Sequence, residues 1–192
     1  MSKDRLCAFS DGVVAIIITI MVLELKVPTH ADWASLAGLL PVFLSYVISF
    51  VYVAIYWNNH HHLLHTVARV DGLILWANSH LLFWLSLVPF ATGFMGENDF
   101  ARLPTAVYGV SLLMPAIAYL LLQKAITRKH GAGATLAKAL GRDFKGKISP
   151  FIYLAAIPLA FLTPWVAIAL YVLVALMWLV PDRRIERAIH EN

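Results

Sequence analysis

Six apolar stretches divide the chain, at about Leu6–Leu25, Leu36–Leu64, Leu73–Phe94, Thr105–Ile126, Ile148–Leu162 and Trp165–Val180, and their lengths constrain the fold more than any other feature. Each stands near the roughly 20 residues with which an α-helix crosses about 30 Å of hydrocarbon. A helix also pairs its backbone N–H and C=O groups along its own length, as a lipid solvent demands. The composition agrees, with 60% hydrophobic residues, 14% charged residues and a mean hydropathy of +0.75, far from the mix of a soluble domain. The expected fold class is all-α: one polytopic membrane domain over residues 1–192 with six transmembrane helices. Only Thr163 and Pro164 separate the last two stretches. Proline lacks an N–H and disfavours helix at the residue before it, so this pair reads as a tight turn in a helical hairpin. One helix from Ile148 to Val180 would be half again too long for a single crossing.

Lysine and arginine set the orientation. With a cytoplasmic N-terminus, all of the 15 Lys and Arg residues except Lys26 and Arg102 fall in inner segments. The positive-inside rule then places both termini in the cytoplasm, with the chain in the cell's inner (plasma) membrane. Acids at Asp4 and Asp11, and no A-x-A-like site before Trp33, argue against a cleaved signal peptide. The formal net charge of +4 follows from topology and contact with anionic lipid headgroups, and no nucleic-acid partner is implied. In the longest inner loop, residues 127–147, Leu136, Leu140 and Phe144 recur at i, i+4 and i+8 among Lys138, Arg142 and Lys145. That spacing fits a short helix on the inner leaflet or a solvated loop.

Enzymatic chemistry finds no footing. The single cysteine, Cys7, excludes an intramolecular disulfide and any Cys-based zinc or iron–sulfur site within one chain. No glycine-rich phosphate loop, nucleophile elbow or H-E-x-x-H string occurs, and no segment outside the bilayer is large enough for a catalytic domain. No cofactor is expected.

The run "RLCAFSDGVVAIIITIMVLEL" sets an acid, Asp11, at the head of a stretch that belongs in lipid. From Gly12 to Leu23 the apolar run covers only about 18 Å of helix, too short to cross alone, so the first helix must draw Phe9, Ser10 and Asp11 into the membrane. A carboxylate at that depth is costly without partners and marks a functional site. The inner ends of the second and third spans fall near His65 and Gly72, which brings "YWNNHHHLLH" and "WANSH" to the depth of Ser10 and Asp11. They contribute Trp57, Asn58, Asn59, His60, His61, His62 and His65 from one helix, and Trp76, Asn78, Ser79 and His80 from its neighbour. Groups at one height can bond between helices, and the layer reads first as a packing lock around Asp11, with one or two groups facing water. A metal site is disfavoured because His60, His61 and His62 are consecutive and point about 100° apart. Two further classes stay open: a haem-binding membrane redox protein, with His60 or His61 and His80 as ligands, and a proton-coupled secondary transporter using Asp11.

The same residues carry a resemblance. The string R-x-x-x-F-S-D at Arg5, Phe9, Ser10 and Asp11 resembles the signature of the TMEM175 family. It is followed by W-x-x-H-H at Trp57, His60 and His61, and by Asn78 ahead of Pro89 in "NSHLLFWLSLVPF". Leu64 stands where members often carry phenylalanine, a difference that touches packing alone. The chain is similar in length to bacterial members, and its signature does not recur in the second half, so one six-helix repeat is present. The resemblance implies a homotetramer with the first helix of each subunit lining a central pore, whereas animal members carry two repeats and dimerise. The activity it implies is a potassium-selective or potassium-permeable cation channel, with potassium ions and the lipid bilayer as partners. It also assigns Arg5, Phe9, Ser10, Asp11, Trp57, His60, His61 and Asn78 to a structural polar network.

Many potassium channels replace the ion's water with backbone carbonyls of a TVGYG loop, and no such string occurs here. The resemblance implies instead apolar constrictions on the first helix, and offset from Asp11 places them at Ile16, Ile20 and Leu23, with Thr19 as a hydroxyl that can contact ions. Ile16, Ile20 and Leu23 are spaced i, i+4, i+7 and share one face. Periodicity alone does not single out that face, since lipid contact or packing produces the same pattern in a helix that is apolar all round.

Overall fold

The computed structural model describes residues 2–67, 69–129 and 144–179, and all regular structure there is α-helical. The helices are α1 (Lys3–Leu23), α2 (Trp33–Ala37), α3 (Leu40–His65), α4 (Gly72–Ser86), α5 (Val88–Glu97), α6 (Arg102–Lys129), α7 (Phe144–Leu162) and α8 (Pro164–Leu179). By length and composition α1, α3, the α4–α5 pair, α6 and α7 can each cross a membrane. The sixth apolar helix, α8, is shorter, with 16 described residues. Within residues 127–147, the segment carrying Leu136 and Leu140 lies outside the described residues; Phe144 opens α7.

Two stretches expected as single helices are divided, each at a proline. The stretch from Leu36 to Leu64 begins with the short α2, whose N-cap Asp32 accepts the Ser35 N–H at 2.7 Å. That bond holds the Asp32 carboxyl below its usual range. The chain then leaves helix at Gly38, and α3 restarts with Pro41 in its first turn, where a missing N–H costs nothing. The stretch from Leu73 to Phe94 breaks at Leu87, which closes α4 and caps α5, with Pro89 in the first turn of α5. The two pieces still form one span from Gly72 to Glu97. Between α7 and α8 only Thr163 intervenes, and Pro164 opens α8, giving the hairpin expected of Thr163-Pro164.

Two apolar cores lie on either side of α3 and α6. In one, Leu6, Val14, Ile17 and Met21 of α1 meet Leu63, Leu64, Ile74, Leu81, Leu85 and Leu122. In the other, α7 and α8 bring Tyr153, Ala156, Ala160, Ala167 and Tyr171 against Tyr52, Met95, Tyr108 and Leu112. Small residues let these helices approach closely, as packing in lipid favours. At Gly96 a Cβ would fall 2.8 Å from Val42 Cα, so α5 and α3 touch backbone to backbone. Outside the bundle, Lys26 Nζ donates to Glu97 Oε1 at 2.8 Å, tying the segment after α1 to the end of α5. The carboxylate raises the Lys26 pKa. The result is a cradle of α3, α4 and α5 that holds α1 along one side.

Candidate functional site

The signature residues of α1 divide between two arrangements. Ser10 and Asn78 are fully buried and His60 is 5% exposed, and the three form one chain of bonds across α1, α4 and α3. Asn78 Nδ2 donates to Ser10 Oγ at 3.0 Å, and Asn78 Oδ1 lies 2.6 Å from His60 Nε2. Ser10 gives its one proton to the Leu6 carbonyl at 2.9 Å, so it can only accept from Asn78. That turns the amide oxygen toward His60 and requires a proton on His60 Nε2. No buried side-chain nitrogen or oxygen among the described residues lacks a partner.

Asp11 stands outside this chain. Its Oδ1 accepts the indole N–H of Trp57 at 2.9 Å, and both side chains are exposed in the isolated subunit. The layer is thus centred on Ser10 and Asn78, not on the acid, and the donor to Asp11 is an indole rather than a histidine or asparagine. Consecutive residues on a helix point about 100° apart, so Ser10 and Asp11 cannot both enter the α3–α4 groove. His61 continues the second arrangement, with its ring 6.0 Å from that of Trp57 and 4.4 Å from that of His65. Arg5 and Phe9 join neither group. Arg5 donates its backbone N–H to the Ser2 hydroxyl, no Arg5–Asp11 ion pair is present among the described residues, and Phe9 is exposed.

The remaining polar residues of the layer are dispersed. Asn58, Trp76 and Ser79 are exposed and His62 is half-buried. Asn59 donates to the Ile55 carbonyl of its own helix. His80 Nε2 accepts from Trp84 Nε1 of its own span at 2.9 Å, which ties up the lone pair of that imidazole, and His60 Nε2 is bonded to Asn78.

One face of α1 is left without partners among the described residues. Leu6, Ser10, Val14, Ile17 and Met21 are buried against the subunit. On the opposite face Ile16 is 60% exposed, Ile20 43% and Leu23 74%, and Thr19 lies among them with its hydroxyl donated to the Ala15 carbonyl at 2.8 Å. The contrast between Ile16 and its neighbour Ile17, which is 2% exposed, shows how sharply the helix is oriented.

A second buried polar cluster went unread in the sequence. Thr92 Oγ1 lies 2.6 Å from Ser49 Oγ, which lies 2.9 Å from the Tyr108 hydroxyl. Nearby, Tyr153 donates to the Tyr52 hydroxyl, Tyr52 to the Tyr171 carbonyl, and Tyr171 to the Thr105 carbonyl. The available signal was Ser45, Ser49 and Tyr52 at i, i+4, i+7 in α3, all three buried. These bonds join α3, α5, α6, α7 and α8 above the Ser10 layer.

The family profile described as the endosomal/lysosomal potassium channel TMEM175 matches residues 5–89, the part that holds Ser10, Asp11, Trp57, His60 and Asn78. A protein of Chryseobacterium sp. (strain P1-3), named as a potassium channel, is 57% identical over 192 residues, covering 100% of both chains. One from Chamaesiphon minutus, also named as a potassium channel, is 34% identical over 189 residues, covering 90% of this chain and 91% of the relative. The crystal structure of a lysosomal potassium-selective channel TMEM175 homolog from Chamaesiphon minutus superposes with a TM-score of 0.80 at 33% identity, over 94% of this chain and 97% of the other. With its helices long enough to span a bilayer and its match to these relatives along the whole length, the chain is a multi-pass membrane protein that belongs to the TMEM175 family.

Proposed function

We propose that this chain is the subunit of a homotetrameric potassium-selective channel in the inner membrane, crossing it six times with both termini in the cytoplasm. The observation that carries the reading is the division of α1 into a face sealed against its own subunit and a face with no partner, which bears Ile16, Thr19, Ile20 and Leu23. Four such faces around an axis make stacked apolar rings, with a hydroxyl between them. A hydrated ion must shed or compress its water to pass rings of this kind. Family membership and relatives named as potassium channels support potassium as the ion. Ser10, Asn78 and His60 act at one remove, by fixing the rotation of α1 so that Ile16 and Leu23 face the axis.

The test is flux through purified protein in liposomes under opposed potassium and sodium gradients, with the subunit number read by native mass spectrometry. Expected are a tetramer and a potassium current that follows the ion's own gradient. A monomer, or saturable uptake driven by a proton gradient, would overturn the proposal. Cysteines placed at the two termini should label only from the cytoplasmic side.

A further inference from the structure

His61 and His65 stand one turn apart at the inner end of α3, on the helix face turned away from the bundle. Their ring centroids are 4.4 Å apart, and both side chains are exposed. Among the described residues neither imidazole is held by a hydrogen bond, in contrast to His60 and His80, each of which has its Nε2 bonded, to Asn78 and to Trp84. Histidines at i, i+4 on one helix face are the spacing with which a helix offers two nitrogens to one metal ion.

We propose that His61 and His65 form a binding site for a divalent transition metal of the imidazole-preferring class, Ni2+, Cu2+ or Zn2+. No group of three His, Cys, Asp or Glu side chains converges on a common point among the described residues. The protein therefore supplies two ligands, and water completes the coordination. A two-ligand site is open and exchangeable, unlike the closed four-ligand sites that hold structural zinc. Its position gives it a route to α1: the His61 ring packs beside Trp57, and the Trp57 indole holds Asp11. A bound dication thus lies next to the Trp57–Asp11 bond that joins the exposed edge of α3 to α1.

Titration of the purified, untagged full chain with NiCl2 by calorimetry tests the site. One Ni2+ per chain is expected, with binding weakened at least tenfold by His61→Gln and by His65→Gln. His62→Gln and His80→Gln should leave it unchanged, and all four variants should elute at the wild-type size. Cu2+ should also quench a component of the tryptophan fluorescence that Trp57→Phe removes. Failure of the wild-type chain to bind Ni2+, binding that survives the double His61→Gln, His65→Gln change, or an equal loss in His62→Gln would each overturn the assignment.

Discussion

The indole Nε1 of Trp57 donates to Asp11 Oδ1 across 2.9 Å, joining α3 to α1 at the membrane level where the apolar run of α1 begins. A hydrogen bond to a carboxylate contributes about 1.5–3 kcal/mol. Asp11→Ala should therefore lower the thermal midpoint of the detergent-solubilised protein and the fraction that assembles. Asp11→Asn, which keeps an acceptor oxygen, should recover most of both. Trp57→Phe combined with Asp11→Ala should cost less than the sum of the two single changes, because both remove the same bond. Additive losses would mean that Asp11 acts through some other partner.

Two hydroxyls on α1 donate to carbonyls of their own helix, Ser10 to Leu6 and Thr19 to Ala15. Only Ser10 also accepts from another helix. Ser10→Ala leaves the buried Asn78 N–H without an acceptor, a loss of about 1–3 kcal/mol. Thr19→Ala strands nothing and should stay within about 0.5 kcal/mol of wild type. Denaturation midpoints of the two variants measure the difference, and equal midpoints would contradict the interhelical role of Ser10.

Ile16 and Ile17 offer a sharper contrast, at 60% and 2% exposure. On the proposed pore face, Ile16→Asn should leave the tetramer intact, wet the ring and raise sodium flux toward that of potassium in liposomes. Ile17→Asn puts an amide into the α1 core with no partner, about 1–3 kcal/mol or more, and should reduce assembled protein before it alters selectivity. The pore face would have to be abandoned if Ile16→Asn left the potassium to sodium ratio at its wild-type value.

Gly109 of α6 faces Tyr171 of α8 so closely that a Cβ would lie 2.9 Å from Ile157 Cγ1 and nearer still to the Tyr171 hydroxyl. Gly109→Ala should push the Tyr171 ring aside and break its bond to the Thr105 carbonyl. Overpacking of this kind costs about 1–3 kcal/mol. Thermal unfolding should show the loss, and Tyr171→Phe in the same background should relieve part of it by removing the crowded oxygen. No rescue would place the strain at Ile157 instead.

What the linear sequence determined is what can be counted along a helix. Run lengths against bilayer thickness specified the apolar helices, proline's missing N–H marked the Thr163-Pro164 turn, and a rise of about 1.5 Å per residue brought Ser10, His60 and Asn78 to one depth. Rotation about each helix axis was not legible, because α1 is apolar nearly all round and any face could have met lipid. Only contacts between distant residues decided it. The Asn78–Ser10 bond, linking positions 68 residues apart, turns Ser10 inward, sends Asp11 to the edge beside Trp57 and leaves Ile16 free. The bonding of Tyr52, Tyr153 and Tyr171 depends in the same way on neighbouring helices, which must approach closely enough to pair every polar group that the lipid cannot.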